Sequence, residues 1–389
     1  MQSITTPTTA EDATRERYAN AATEAEAALC CPVDYDPKYL EIIPAEVIEK
    51  DYGCGDPSKY VKEGDVVLDL GSGTGKICFI AAQVVGEKGK VIGVDMTDDM
   101  LEVANRNAPL IADKIGYANV EFRKGRIQDL ALDLDLLEKQ LGDHPVKDVN
   151  DWMALDILTK NLKQTQPLVD SESVDVVVSN CVLNLVENEL KESMFEEIYR
   201  VLKRGGRAVI SDIVSDEAIP EHLQQDDHLW SGCISGAYTE EGFIKAFEDA
   251  GFYGVEILKR DKEAWQTVEG IEFRSVTVRA WKGKEGVCLE RNQAVMYKGP
   301  FKSVTDDDGH TMRRGQSYAV CDKFFQIYGK EPYADHFEMI APRIEIPIAD
   351  AMPFDCNMDV TRSPRITKGI EYKVNIPGSD CCDPSTGCC

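Results

Sequence analysis

The chain has 389 residues, of which 43% are hydrophobic, enough for two or more packed domains. Its formal net charge of −26 argues against nucleic acid as the main partner, because phosphate contacts need a basic face. The absence of an 18-residue apolar run and of a secretory leader pattern at the N-terminus predicts no membrane span and a cytoplasmic location. In that compartment the 13 cysteines are expected to stay reduced and to serve metals, metalloids or catalysis.

The N-terminal part, residues 1–60, is predicted to be an arm followed by a segment that contributes to a ligand site. Residues 10–28 have the composition of a surface helix, and four prolines then break the chain into short pieces. Because these pieces feed directly into the first strand, we expect them to lie over the mouth of the site. Their candidate site residues are Tyr35, Tyr52 and Cys54.

The stretch VVLDLGSGTG predicts a buried strand, residues 66–70, that runs directly into a glycine loop. Gly71, Gly73 and Gly75 leave room where the backbone turns sharply and passes close to a ligand. The helix predicted over residues 76–85 then directs free backbone N–H groups at that ligand. A nucleotide-like molecule is expected across this turn, although glycines at a strand-to-helix turn can also serve packing alone.

A second apolar strand, residues 90–94, ends in Asp95, 24 positions after Gly71. That spacing is close to the one at which an acid reaches the two hydroxyls of a ribose, so Asp95 is the expected ribose acceptor. Asp95 could also cap the helix that follows. This second role does not exclude the first, since Thr97 or Asp98 can provide the cap instead.

Asp69, in the strand before the glycine loop, indicates which kind of nucleotide binds there. It would repel a pyrophosphate but attract the ammonium and sulfonium charges of S-adenosylmethionine. The motifs LDLGSGTG and GVDMT resemble those of the seven-stranded S-adenosylmethionine-dependent methyltransferases, and the resemblance covers residues 61–281. The residues expected to bind this methyl donor are Asp69, Gly71, Ser72, Gly73, Gly75, Asp95, Met96, Arg126, Ile127 and Asn180.

The alternation of apolar strands and amphipathic helices predicts an α/β fold with a seven-stranded, doubly wound, Rossmann-like sheet. An insertion at residues 131–172 is expected to cover one edge. Beyond residue 282, short β-like pieces and turns predict a smaller α+β domain up to residue 375, and residues 376–389 are expected to form a flexible tail rich in cysteine. The expected strands are 66–70, 90–94, 120–124, 174–179, 207–213, 255–260 and 272–281, and the helices that follow the first crossover are 98–108, 187–202 and 239–250.

Single cysteines fall at three loops on the donor side of this sheet. Cys54 precedes the first strand, Cys181 follows the strand at residues 174–179, and Cys233 lies in a glycine-flanked loop. Three thiolates around one cavity form a soft-ligand site. Zinc is the alternative, but structural zinc sites use four ligands and commonly close cysteine pairs, so trivalent arsenic, with three bonds and a lone pair, fits better. Cys78, among apolar residues, is expected to be a small buried hydrophobe.

The motifs YGCG, LDLGSGTG, GVDMT, SNCVLNL and GCISGA resemble, in this order, those of the arsenite S-adenosylmethionine methyltransferases. The resemblance continues more weakly through MYKGPF, DDDGH and PYADHF. It implies that Cys54, Cys181 and Cys233 are the arsenic-binding catalytic thiols, in a reaction of arsenic detoxification. It also implies that Cys31 or Cys30 takes the place of a fourth cysteine that exchanges disulfides with Cys54.

The chemistry then needs no general base, because the lone pair of thiol-bound arsenic attacks the methyl group of the donor directly. Arsenite or its glutathione conjugates are the expected substrates. A thiol pair would return two electrons to the oxidised arsenic, and a thioredoxin-like or glutathione reductant would reset that pair. Two alternatives stay open: a methyltransferase acting on another small molecule, and a thiol protein that sequesters metalloids.

Overall fold

The computed structural model describes residues 10–23, 26, 33–50, 52–356 and 360–369. The chain divides into two compact units, Met1–Gly283 and Lys284–Cys389. The expected disulfide partner of Cys54, Cys31 or Cys30, lies outside the described residues, as do the paired cysteines of the expected tail. Among the helices described, none is both long and apolar enough to cross a membrane.

The first unit is built on one sheet whose central path has the strand order β3-β2-β1-β4-β5-β9-β7. Strands β1 to β5 are parallel, whereas β9 runs antiparallel to both β5 and β7. Two short strands extend it, because β6 pairs with β5 and β8 with β9. The predicted α/β, Rossmann-like fold is confirmed. The strands are β1 Val66–Leu70, β2 Lys90–Asp95, β3 Val120–Lys124, β4 Val174–Asn180, β5 Leu202–Ser215, β6 Tyr238–Thr239, β7 Tyr253–Arg260, β8 Gln266–Val268 and β9 Ile271–Trp281.

Helices cover both faces of this sheet, which is why β1 is apolar on both sides: Val67, Leu68 and Leu70 are fully buried. The helices of the first unit are α1 Ala10–Thr23, α2 Pro37–Leu40, α3 Ala45–Glu49, α4 Lys76–Val85, α5 Asp98–Ile115, α6 Leu134–Asp143, α7 Val149–Thr165, α8 Lys191–Val201, α9 Glu221–Gln224, α10 Asp227–Ser231 and α11 Glu240–Asp249. The insertion predicted at residues 131–172 therefore holds α6 and α7.

Several predicted boundaries differ from the structure. Helix α5 does not end before Pro109 but continues to Ile115, because burial of Ile111 on the same face outweighs the missing proline N–H. It stops at Gly116, whose φ of 89° is left-handed. Helix α8 begins at Lys191 rather than residue 187, after a 3₁₀ turn. Strand β5 begins at Leu202, before the predicted start at residue 207.

The second unit combines short antiparallel strands with two helices. A three-stranded sheet has the order β14-β11-β15, and two further pairs are β10 with β16 and β12 with β13. Aromatic rings of Phe324, Tyr328 and Phe337 pack together at the centre. Its elements are β10 Leu289–Glu290, β11 Ala294–Tyr297, β12 Ser303–Thr305, β13 Thr311–Arg313, β14 Ser317–Ala319, α12 Asp322–Tyr328, β15 Phe337–Ile340, β16 Met352–Pro353 and α13 Pro364–Lys368.

Candidate functional site

The glycine loop after β1 adopts backbone angles that favour glycine. Gly71, Gly73 and Gly75 have φ values of 67°, 50° and 92°. A Cβ atom at Gly71 would come within 2.4 Å of the Val182 side chain, so substitution there would also collide with the loop after β4. The loop therefore brings bare backbone to the carboxyl end of the sheet, where ligands bind in this kind of fold.

Asp95 lies directly opposite this loop. Its carboxylate accepts hydrogen bonds from the backbone N–H groups of Gly73 at 2.9 Å and Thr97 at 2.8 Å. Burial raises the pKa of Asp95, and these N–H donors oppose that rise. Thr97 is the N-cap residue of α5 but makes no side-chain cap bond within the described chain, so the Asp95 carboxylate satisfies that helix start.

A cleft of about 970 Å³, including its solvent-open mouth, lies between the glycine loop and Asp95. The Ser72 hydroxyl is buried there without a hydrogen-bond partner among the described residues. Because buried polar groups normally have a partner, this hydroxyl fits a group that bonds to a ligand in the cleft. The predicted donor residues that line the cleft are Asp69, Gly71, Ser72, Gly73, Asp95, Met96, Ile127 and Asn180.

Two predicted donor contacts do not line this cleft. Gly75 is the N-cap residue of α4. The Arg126 guanidinium forms an ion pair with Glu11 at 2.6 Å, and its side chain is half exposed. Glu11 belongs to α1, and the position of that helix relative to the sheet could not be predicted from the sequence. The thiol of Cys78 is fully buried as expected, but it also donates a hydrogen bond to the Asp69 carboxylate at 3.2 Å.

Helix α1 forms one wall of the cleft rather than a surface arm. Glu11, Thr14 and Tyr18 line the cleft from this helix. Arg17 holds the helix in place by donating hydrogen bonds to Ser231 Oγ at 2.9 Å and to a carbonyl of α10 at 3.0 Å. The buried positions 14, 21 and 22 and the half-buried position 18 follow helical spacing, a signal in the sequence that could have revealed the inward face.

Three thiols come together beside this cleft. Cys54, Cys181 and Cys233 are 1%, 5% and 3% exposed. The Cys181 thiol interacts with both other thiols, and these contacts, together with burial, raise the pKa of Cys181 well above its usual value. Burial also raises the pKa of Cys54, partly offset by its contact with Cys181. The Cys233 thiol donates to the Cys181 carbonyl at 3.1 Å.

Cys181 and Cys233 sit in strained backbone. Their φ values are 64° and 62°, in the left-handed region that residues with a Cβ seldom adopt. Each is fixed by a backbone hydrogen bond: Cys181 N–H to Ser211 O at 2.8 Å, and Cys233 N–H to Trp230 O at 3.0 Å. Such strain persists when the surrounding fold determines the conformation, and it is concentrated at functional sites.

The third thiol is positioned by Asn180 at the end of β4. The Asn180 side-chain oxygen accepts from the backbone N–H groups of Cys54 at 2.9 Å and Gly55 at 3.0 Å, and its amide donates to Gly55 O at 2.9 Å. A Cβ at Gly53 would lie 2.1 Å from the Asn180 amide nitrogen. A Cβ at Gly55 would lie 2.4 Å from the Ser211 hydroxyl, so the YGCG motif needs glycine on both sides of the cysteine. Tyr35 supports the same loop through a 3.1 Å bond to Gly55 O and does not line the cleft.

Two polar residues near the thiols were not found by sequence reasoning. One oxygen of Asp212 lies within 4.8 Å of the Cys54 and Cys181 thiols. Burial raises the pKa of Asp212 to about 6, although three N–H groups donate to it, those of Leu183, Ile213 and the Asn184 side chain. The Tyr18 hydroxyl interacts with Cys233, and burial followed by the two thiol charges raises the pKa of Tyr18. Motif spacing gives no signal for either residue.

Apolar side chains surround the thiols on the other sides. Ile213, Ile234 and Phe273 are buried in the same cluster as the three cysteines. Cys181 and Tyr18 also line the cleft, so the thiol site opens onto the space beside the glycine loop. This arrangement can hold a thiophilic atom with little water around it, next to a nucleotide-like ligand.

Comparisons with known proteins agree with this chemistry. A family model described as a methyltransferase domain matches residues 61–143 and 153–268, and a model of a domain of unknown function matches residues 284–372. The chain is 32% identical over 327 residues to an arsenite methyltransferase of Aquipseudomonas alcaligenes, covering 80% of this chain and 84% of that protein. It is 30% identical over 310 residues to the human arsenite methyltransferase, covering 77% and 73%.

A solved structure shows the same likeness in three dimensions. The chain is similar to an arsenic(III) S-adenosylmethionine methyltransferase from Chlamydomonas reinhardtii, with a TM-score of 0.55 and 29% sequence identity. The match covers 84% of this chain and all of the other.

Proposed function

The chain belongs to the family of arsenite methyltransferases, and from that premise we propose which of its residues bind and methylate arsenic. It is an S-adenosylmethionine-dependent enzyme that acts on trivalent arsenic. The observation that carries the residue assignment is the position of Cys181, whose thiol interacts with those of both Cys54 and Cys233.

Arsenic binds by ligand exchange at these three thiols. Arsenous acid, As(OH)₃, gives up three hydroxyls, each of which leaves as water with one thiol proton, and three As–S bonds form. The raised pKa values of Cys54 and Cys181 keep these thiols protonated until exchange, so the protons needed for water are already present. A glutathione conjugate of arsenic would exchange in the same way, releasing glutathione.

Asp69, the glycine loop and Asp95 bind the methyl donor. Asp69 is 2% exposed and lines the cleft, so its carboxylate can favour the cationic end of the donor in a medium that screens charge weakly. Asp95 accepts the ribose hydroxyls. S-adenosylmethionine supplies an electrophilic methyl group on a positively charged sulfur.

The three thiols then position the arsenic lone pair for attack on that methyl group. Holding both reactants side by side supplies most of the rate enhancement expected for a displacement that needs no proton transfer. The lone pair forms the As–C bond, the S–C bond of the donor breaks, and S-adenosylhomocysteine leaves.

Methyl transfer raises arsenic to the pentavalent state, and two electrons must return before the thiols can bind it again. We assign this reduction to Cys54 with Cys31 or Cys30, following the resemblance to the family. The pair becomes a disulfide, and a thioredoxin-like or glutathione reductant restores it. This cycle requires reduced thiols, which supports a cytoplasmic location.

The test is to incubate the purified full chain with the donor, a thiol reductant and arsenite, and to measure S-adenosylhomocysteine. We expect its formation to depend on arsenite and to be lost in Cys181→Ser, while calorimetry shows unchanged donor binding. Arsenite binding without S-adenosylhomocysteine would favour a sequestering protein. Turnover of another small molecule with no response to arsenite would favour a different methyltransferase.

A further inference from the structure

Three more cysteines form a cluster in the second unit. The sulfur atoms of Cys288, Cys321 and Cys356 all lie within 4.8 Å of one another. They come from distant points in the sequence and are brought together by the fold. Pairing of β10 with β16 places Cys288 near Cys356, and Phe354 N–H donates to Cys288 O at 2.8 Å. Cys321 is the N-cap residue of α12, where its sulfur accepts from Phe324 N–H at 3.5 Å.

We propose that Cys288, Cys321 and Cys356 form a second site for trivalent arsenic, separate from the thiols of the first unit. Its ligand is named because the chain is an arsenite methyltransferase, but the inference does not depend on the roles assigned to Cys54, Cys181 or Cys233. Binding exchanges the three hydroxyls of arsenous acid for three thiols and releases three waters, with no change in oxidation state.

The ligand number favours arsenic over zinc. Structural zinc takes four ligands, whereas three sulfurs satisfy trivalent arsenic. The ring of His310 shares a small cavity with Cys321 and Cys356, but both of its nitrogens are engaged. Its Nδ1 is bonded to the Asp306 carboxylate at 2.8 Å, and its Nε2 to the Cys356 carbonyl. Among the described residues the cluster therefore holds three ligands and no fourth.

The three-cysteine cluster is also accessible from solvent. Cys288 and Cys356 are only half-buried, so a ligand can reach them from solvent. Cys288 and Cys356 are therefore the thiols that arsenous acid reaches first. The strongly negative chain, at −26, would also repel an anion but not neutral arsenous acid.

The experiment uses the full-length chain in which every cysteine except Cys78, Cys288, Cys321 and Cys356 is serine. Arsenite is added, free ligand is removed by gel filtration, and arsenic is counted by mass spectrometry. X-ray absorption at the arsenic edge then counts As–S bonds. We expect one arsenic atom per chain with three As–S bonds.

The decisive variant is Cys321→Ser in that background, because serine is a favourable N-cap residue and preserves the start of α12. We expect arsenite affinity to fall by at least about tenfold. Mutation of residues that only hydrogen-bond to the ligands of a bound ion already weakens binding by that factor, and Cys321 would be a ligand itself. In the natural chain, Cys321→Ser should bind one arsenic atom fewer. An unchanged arsenic count would overturn the proposal, as would an as-isolated zinc ion that arsenite does not displace. Loss or survival of methylation in Cys181→Ser has no bearing on this result, so the two assignments fail separately.

Discussion

Oδ1 of Asn180 accepts a hydrogen bond from the backbone N–H of Cys54 at 2.9 Å, and this bond links the end of β4 to the loop that carries the first thiol. Cys181 directly follows Asn180 in the chain. One residue therefore sets the position of two of the three thiols, one through its side chain and the other through its backbone.

Asn180→Ala should loosen this arrangement. It leaves the buried N–H groups of Cys54 and Gly55 unsatisfied, at a cost of about 1–3 kcal/mol each. We expect a clear fall in the free energy of unfolding, measured by denaturant titration, and slower methylation of arsenite at saturating donor. The matched control is Asn150→Ala on the exposed surface of α7. A folded Asn180→Ala variant with normal turnover would show that the clamp is not needed.

Asp95→Ala should weaken donor binding while arsenite binding persists. The variant removes an acceptor for the ribose, and each hydrogen bond to a charged group is worth about 1.5–3 kcal/mol. Isothermal calorimetry with S-adenosylhomocysteine measures the loss. Asp113→Ala, an exposed acid on α5, serves as the control and should bind the donor normally. Unchanged affinity in Asp95→Ala would place the ribose elsewhere.

Arg17→Ala should detach α1 from α10. The side chain of Arg17 is 13% exposed and donates to Ser231 and to the His228 carbonyl, so its loss frees the helix that walls the cleft. We expect the donor dissociation constant to rise roughly tenfold, which corresponds to about 1.4 kcal/mol. Arg15→Ala is the control, because Arg15 is 62% exposed and pairs with Asp12 on the surface. Equal donor affinity in both variants would argue against α1 as a functional wall.

Asp212→Asn should change how stability depends on pH. Burial raises the pKa of Asp212 from 3.8 to about 6, so between these values the folded chain holds a proton that the unfolded chain has lost. The stability of the natural chain relative to Asp212→Asn should therefore fall as pH rises, by about 2 kcal/mol between pH 4.5 and 7.5, and level off above about pH 7. Denaturant titrations of both chains from pH 4.5 to 7.5 measure this difference. A difference that stays constant or grows with pH contradicts a raised pKa.

Much of the fold was predictable because parallel strands carry strong local patterns. VVLDL and the glycine loop define β1 and its turn from neighbouring residues alone. The convergence of Cys54, Cys181 and Cys233 could be expected as well, since the loops at the carboxyl ends of strands meet at one edge.

Contacts between distant segments were not predictable in the same way. The position of α1 depends on Arg17 reaching Ser231, 214 residues away, and that placement in turn puts Tyr18 beside Cys233. The ion pair of Arg126 was not predictable for the same reason, because its partner Glu11 belongs to that helix. The cluster around Cys321 likewise depends on the pairing of β10 with β16. Strands of only two residues carry no recognisable pattern in the sequence, so this pairing could not be predicted.

The central claim is that Cys54, Cys181 and Cys233 each hold one arsenic bond during methyl transfer. Losing Cys181 or Cys233 leaves two sulfurs, and hydroxide or glutathione can take the third position. Methylarsenite has only two exchangeable bonds, so Cys181 and Cys233 suffice to hold it and Cys54 becomes dispensable for the second methylation.

The most direct measurement is arsenic speciation by chromatography for each of the three Cys→Ser variants, with arsenite and methylarsenite as separate substrates. We predict that Cys181→Ser and Cys233→Ser lose methylation of both substrates, whereas Cys54→Ser loses it for arsenite and retains it for methylarsenite. Each variant is first shown to fold and to bind the donor. Equal loss on both substrates in Cys54→Ser would contradict its separate role, and full activity in Cys181→Ser or Cys233→Ser would contradict the three-thiol site itself.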